Sequence, residues 1–156
     1  MKDISSLVAD LRAPTVKKRQ AAAMELGKSG DISVIVPLTA AIADPHPRVR
    51  CEIVQALGRI GDSEAVPALV TALGDTEPGI RCAAIAALGK IKDPAAVNPL
   101  ISCLTDKDMT VRIGAAEILG KLGDTRAIRP LTSLLNDPFS DVRTAAQAAI
   151  HRLTGK

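Results

Sequence analysis

Arginines recur at a fixed interval of 31 residues, at Arg19, Arg50, Arg81, Arg112 and Arg143. The same interval relates Gly27, Gly58, Gly89 and Gly120, each preceded by a leucine (Leu26, Leu57, Leu88, Leu119), with Ile150 continuing that series. It also relates Leu38, Leu69, Leu100 and Leu131, and two sets of aspartates: Asp31, Asp62, Asp93, Asp124 and Asp44, Asp75, Asp106, Asp137. A period of this length over nearly the whole chain means that one small unit is copied. Such a unit cannot bury its apolar face alone and must stack on its neighbours.

Each period holds two amphipathic segments. The first, helix A, runs for example from about Pro47 to Ile60, with Val49, Ile53, Ala56, Leu57 and Ile60 at helical spacing. The second, helix B, runs from about Ser63 to Leu73, with Val66, Leu69, Ala72 and Leu73 on one stripe. Val and Ile never alternate with polar residues as a strand requires. Asp31, Asp62, Asp93 and Asp124 stand where an N-cap of helix B is needed, worth roughly 1 kcal/mol each. Lys28, Arg59, Lys90, Lys121 and Arg152 place positive charge at the end of helix A, against the helix dipole. Pro45, Pro47, Pro78 and Pro138 fall in the turns leading into helix A, where a missing N–H costs little. The recurring glycines read as helix ends. Pro37, Pro67, Pro99 and Pro130 lie five to six residues into helix B and predict a kink or a loosened first turn.

The core must be built from thin side chains, because Phe139 is the only aromatic among 156 residues. No run of 18 apolar residues exists, so no membrane span is expected. The N-terminus lacks the apolar run of a signal peptide, and three cysteines suggest no disulfide framework; a reduced, cytoplasmic setting is the expectation.

The unit Asp-x-x-x-x-Val-Arg-x-x-Ala-x-x-Ala-Leu-Gly-x-Ile-Gly-Asp-x-x-Ala-Val-x-Pro-Leu, well matched from Asp44 to Leu135, resembles the HEAT repeat superfamily. It is most similar to the short HEAT-like, or phycobilin-lyase-type, branch. The resemblance implies an all-α fold, a right-handed α-solenoid of about five helix pairs forming one domain over residues 1–156. The expected parts are an N-terminal capping helix (1–12), repeats at 13–42, 43–73, 74–104 and 105–135, and a C-terminal capping helix (136–156). The array thus starts on a B and ends on an A. Lys18 replaces the Val or Ile of Val49, Ile80, Val111 and Val142. Terminal units of solenoids are usually modified caps. The alternative is that Ala145, Ala146 and Ala149 form a flat exposed face for end-to-end docking, including on a second copy.

Catalytic signals are missing from the sequence. His46 and His151 are far apart in the array, and neither has a second His or a carboxylate at metal-ligand spacing; both read as solvent-exposed structural residues. One HEAT-like enzyme, deoxyhypusine hydroxylase, binds iron through His-Glu pairs, and this chain has none. Cys51 and Cys82 share a column, but stacked helices lie ~8–10 Å apart, beyond disulfide reach. With Cys103 they read as small buried hydrophobes. No cofactor and no enzyme activity are expected. The Asp and Arg columns read as a ladder bonding neighbouring repeats, and alternatively as a row of arginines for phosphates.

Comparison of the repeats with one another separates core from surface. Columns 35/66/97/128, 38/69/100/131 and 42/73/104/135 are always Val, Ile or Leu and are assigned to the core. The opposite stripe of helix B varies: Ser33, Glu64 and Arg126; Val36, Pro67, Asn98 and Arg129; Ala40, Thr71, Ser102 and Ser133. In HEAT-like arrays helix B lines the concave face, so these eleven residues form the candidate site. The reading favoured is a non-catalytic scaffold taking a helix or peptide of another protein in that shallow groove. One alternative is nucleic-acid backbone binding through the Arg columns and Lys17, Lys18 and Arg19. It is weakened by only two basic residues on the stripe and by the lack of stacking aromatics. The other alternative, implied by the resemblance to phycobilin lyases, is a chromophore- or cofactor-handling subunit. The register makes a direct prediction: Leu88→Ala removes a central core side chain and costs ~2–5 kcal/mol in a denaturation titration. A loss below ~1 kcal/mol would place Leu88 outside the core.

Overall fold

A computed structural model describes residues 3–155. Met1 and Lys2 of the N-terminal capping segment and Lys156 of the C-terminal one lie outside the described residues. The described residues are α-helical with short 3-10 turns and contain no strand. They fall into two compact units, one ending at Ile91 and one starting at Lys92. The first holds α1 (Ile4–Asp10), α2 (Val16–Ser29), α3 (Ile35–Ala40), α4 (Pro47–Ile60), α5 (Val66–Ala72) and α6 (Pro78–Ile91). The second holds α7 (Val97–Ser102), α8 (Met109–Leu122), α9 (Ile128–Ser133) and α10 (Ser140–Thr154). Each unit opens on a short B helix and closes on a long A helix.

Helix α4 shows why an A segment forms where it does. His46 caps its start, accepting from the Arg48 N–H through Nδ1, and Pro47 fills the first helical position. Val49, Ile53, Ala56 and Leu57 are fully buried on one stripe. Gly61 ends the helix at φ 76°, a conformation open to glycine, and its N–H donates back to the Leu57 carbonyl. Hence His46, expected to be merely solvent-exposed, is half-buried and forms part of the helix start.

The glycines of the 31-residue series are not helix ends. Gly27, Gly58 and Gly120 lie inside α2, α4 and α8, and Gly30, Gly61 and Gly123 supply the ends instead. The interior glycines are there because two helices nearly touch. A Cβ on Gly27 would lie 2.6 Å from the Ala56 Cα, one on Gly58 2.7 Å from the Ala87 Cβ, and one on Gly120 2.8 Å from the Ala149 Cα. In the first unit α2 packs on α4 and α4 on α6 through these contacts; in the second, α8 packs on α10.

Helix B is also built differently from the expectation. Each B segment after α1 opens with a 3-10 turn capped by the expected aspartate: Asp31, Asp62, Asp93 and Asp124 accept from the N–H two residues on, at 2.8 or 2.9 Å. The α-helix proper then starts at residue 35, 66, 97 or 128. Pro37, Pro67, Pro99 and Pro130 therefore stand in its first turn, where N–H groups lack an intrahelical acceptor. They set the change from 3-10 to α geometry and put no bend into the middle of a helix.

Leu38, Leu69, Leu100 and Leu131 are fully buried, as assigned. The column 42/73/104/135 is not uniformly core. Leu104 is 2% exposed, Ile42 and Leu73 are half-buried, and Leu135 is 39% exposed. This column lies past the end of the short B helices, and no further B segment covers Leu135 among the described residues. At the N-terminal end the odd residue Lys18 forms an ion pair with Asp10 of α1 at 2.9 Å, tying α1 to α2. At the other end the expected flat alanine face is absent. Ala146 and Ala149 are buried toward α8, and the outer side of α10 presents Thr144, Gln147, Ala148 and His151.

Gly27→Ala is expected to destabilise the protein by ~1–3 kcal/mol through overpacking, although alanine is the better helix former. Gly79→Ala, in α6 with nothing within 4 Å of where the new methyl group would stand, is expected to be neutral or mildly stabilising. Urea titrations of the two variants check the pair; equal and stabilising effects would refute the close contact.

Candidate functional site

The arginine and aspartate columns come together as a ladder. Arg19 donates from Nε to Asp44 Oδ2 at 2.7 Å and from Nη2 to Asp44 Oδ1 at 3.1 Å. Arg50 grips Asp75 in the same way (2.7 and 3.0 Å), and in the second unit Arg112 grips Asp137 (2.8 and 3.1 Å). The remaining Nη1 of each arginine donates to the carbonyl six residues before it: Ala13, Asp44 and Asp106 respectively. Each aspartate also turns its own loop, as when Asp44 Oδ1 accepts from the His46 N–H. These side chains are mostly out of solvent, and Arg112 is further covered by the Phe139 ring, 5.8 Å from its guanidinium. Two-pronged pairs of this kind fix orientation as well as charge.

The ladder sets the ionisation of its acids. The Arg50 hydrogen bonds hold the Asp75 carboxyl below its ordinary range, and Arg112 does the same for Asp137. At Asp44 burial pushes upward, but the Arg19 hydrogen bonds, the His46 N–H and the Arg19 charge outweigh it and the net direction is down. Arg19, Arg50 and Arg112 are therefore committed to carboxylates and do not form a free row. The Lys17–Arg19 cluster is likewise spoken for in part, with Lys18 on Asp10 and Arg19 on Asp44.

All eleven residues of the predicted stripe are exposed. In the first unit the B segments carry Ser33, Val36, Ala40, Glu64, Pro67 and Thr71. In the second they carry Asn98, Ser102, Arg126, Arg129 and Ser133. Two hydroxyls turn inward to their own helix: Thr71 donates to the Pro67 carbonyl and Ser102 to the Asn98 carbonyl. Arg126 pairs with Asp124 at 2.7 Å and reaches Asn98 Oδ1 at 3.4 Å, joining the two B segments of its unit. Sequence comparison missed Ile32, which is 57% exposed one turn before Val36, itself 72% exposed. The signal was its column, where the other repeats have Ser63, Pro94 and Thr125. Beside Ala40 lies an open depression of ≈ 460 Å³ between α1 and α3, lined by Val8, Arg12, Pro37 and Ala41 among others.

Chemistry-bearing residues are scattered. Among the described residues no group of three or more His, Cys, Asp or Glu side chains is placed to hold a metal ion. Of the cysteines only Cys103 is buried; Cys51 and Cys82 are half-exposed, because their column lies at the edge of the A-helix apolar stripe. Burial pushes the Cys51 thiol up, and Gln55 Nε2 donates to its sulfur at 3.4 Å. No helix among the described residues is long and apolar enough to cross a membrane.

Removal of one rung tests the ladder. Asp75→Ala strands a half-buried guanidinium and is expected to cost ~3 kcal/mol at pH 7. The folded aspartates titrate below their unfolded values. Their contribution is therefore complete above about pH 4 and drains away as pH falls through the lowered values. The penalty of Asp75→Ala measured by urea unfolding must shrink between pH 7 and pH 3; a penalty independent of pH would mean the charge contributes nothing.

Comparison with known proteins places this geometry. Residues 4–81 and 66–151 match the family model for HEAT repeats. No curated protein matches the sequence. Among solved structures, the complex of CpcE and CpcF of phycocyanin lyase from Nostoc sp. PCC7120 has a chain similar to this one at TM-score 0.83 and 28% identity. That match covers 100% of this chain and 66% of the other, so the chain spans just under two thirds of that relative. A designed armadillo repeat protein in complex with the peptide (KR)4 is similar at TM-score 0.69 and 21% identity, over 97% of this chain and 82% of its own. Human deoxyhypusine hydroxylase is similar at TM-score 0.54 and 18% identity, over 98% and 85%. The last two likenesses are of fold, the helical-repeat solenoid. With its 31-residue helix pairs, capped B segments and matched family model, the chain belongs to the HEAT repeat family.

Proposed function

We propose that this chain is a non-catalytic scaffold that binds another protein, as a helix or an extended peptide, along the exposed stripe of its B helices. One observation carries the reading. The ladder absorbs the charged columns, whereas the B stripe is exposed, built of small side chains and different in every repeat. A surface that varies between otherwise copied units is where a repeat protein can encode a specific partner. Small residues such as Ala40, Ser102 and Ser133 let a partner backbone approach closely, and the exposed Ile32 and Val36 offer an apolar anchor in the first unit. The peptide held by the designed armadillo relative supports the same use of a related fold.

The similarity to a phycocyanin lyase chain favours a second reading, a lyase-type subunit that handles a chromophore together with a partner chain. Visible absorbance co-purifying with the protein from a pigmented host would favour it. Nucleic-acid binding is the weaker reading, since Arg19, Arg50 and Arg112, which it would use, are held by aspartates. A second copy as partner is tested by sedimentation.

Arg126→Glu combined with Arg129→Glu is expected to weaken capture of the partner from native lysate about tenfold or more, with the melting temperature lowered by only a few degrees. A nuclease-resistant, stoichiometric protein lost on this double substitution supports the scaffold. Unfolding of the variant would show that the two arginines are structural, and loss of the captured partner on nuclease treatment would overturn the reading.

A further inference from the structure

The outer side of α10, in the second unit, carries an arginine whose carboxylate-binding edge is met by no carboxylate among the described residues. Arg143 Nη1 donates to the carbonyls of Asp137 at 2.7 Å and Pro138 at 3.1 Å. Arg19, Arg50 and Arg112 make the same pair of carbonyl bonds. In those three, the bonds hold the guanidinium so that its Nε and Nη2 edge meets an aspartate 25 residues on. Arg143 is exposed, and no carboxylate meets that edge among the described residues. Next to it are the 39%-exposed Leu135 and the half-buried Ile150, at an open depression of ≈ 1010 Å³ that Gln147 and His151 also line.

Two residues define what can occupy this place. His151 stands in the glycine column, where Gly27, Gly58 and Gly120 admit an alanine of the next helix to within 3 Å of a would-be Cβ. An imidazole there holds an incoming helix farther off than Gly27, Gly58 and Gly120 hold theirs, so the contact on this face differs from that between regular repeats. A second copy joined head to tail would have to present residue 13 at the aspartate position, and that residue is the buried Ala13. We propose that the outer face of α10 docks an amphipathic helix of a different protein. An Asp or Glu of that helix is taken by the open edge of Arg143, and its apolar side chains rest on Leu135 and Ile150. This surface is separate from the B stripe.

A displayed library of helical peptides tests the proposal. Each peptide has a leucine stripe and Asp, Asn or Lys at the flanking positions, and selection is on the 156-residue protein. The expected binders carry an acid and lose about tenfold or more in affinity on Arg143→Ala, the worth of one charged hydrogen-bonded contact. They should be indifferent to Arg126→Glu with Arg129→Glu, which reports on the B stripe instead. A binder with its acid changed to Lys should recover affinity on Arg143→Glu. Circular dichroism of the Arg143 variants should show the wild-type fold, since this arginine closes no rung. Binders without acid preference, binders indifferent to Arg143→Ala, or Arg143-dependent self-association of the free protein would each overturn the proposal.

Discussion

Everything in each unit follows from how closely its long helices approach. Where Gly27 faces Ala56, Gly58 faces Ala87 and Gly120 faces Ala149, there is no room for one more methyl group. At that distance leucines and alanines are enough to close the interface, and the near absence of aromatics becomes a requirement of the packing. The short separation also lets an arginine on one A helix span to the turn before the next, which is the geometric condition for the Arg–Asp rungs. A larger residue at Gly27, Gly58 or Gly120 would disturb both at once.

The rungs in turn decide what the protein has to offer a partner. A chain with pI ≈ 8.9 invites the idea of a cationic surface. Yet Arg19, Arg50 and Arg112 of the most regular column are spent internally, each on one carboxylate and two carbonyls. Along the B segments, what remains outside is a mixture of small residues, Ile32 and Val36 on the first unit, and Arg126 and Arg129 on the second. Such a surface discriminates by shape and local contact more than by long-range attraction.

Much of this was legible in the sequence because repetition supplied its own controls. Comparing the copies identified the A and B segments, the capping aspartates, the ladder and the exposed stripe. The errors came where one residue type serves two physical purposes. Glycine can end a helix or admit a neighbouring backbone, and only distances show that Gly58 does the second while Gly61 does the first. Proline six residues into a segment implies a bend only if the helix starts where the segment does, and the 3-10 turn at Ser63–Ala65 shows that it starts later. The position of Leu135 depends on what covers it, and its column could not tell that it is left open. Whether Arg143 is paired was hidden for the same reason: the column is regular, but no aspartate among the described residues meets its last member.

The 25-residue reach of the rungs has a further cost, in the search for the right register during folding. A slip by one whole period would exchange each Arg–Asp pair for an equivalent one and each Gly–Ala contact for a near copy. Local chemistry would then barely resist the skipping of a repeat, a recognised failure of repeat proteins. The irregular residues are what remove this degeneracy. Lys18 finds its carboxylate at Asp10, Ile118 stands in the column of Ala56, Ala87 and Ala149, and the residues before the A helices (His46, Glu77, Asp108, Phe139) are all different. Imperfections in the repeat thus act as addresses, giving one alignment of the chain an advantage over its near duplicates.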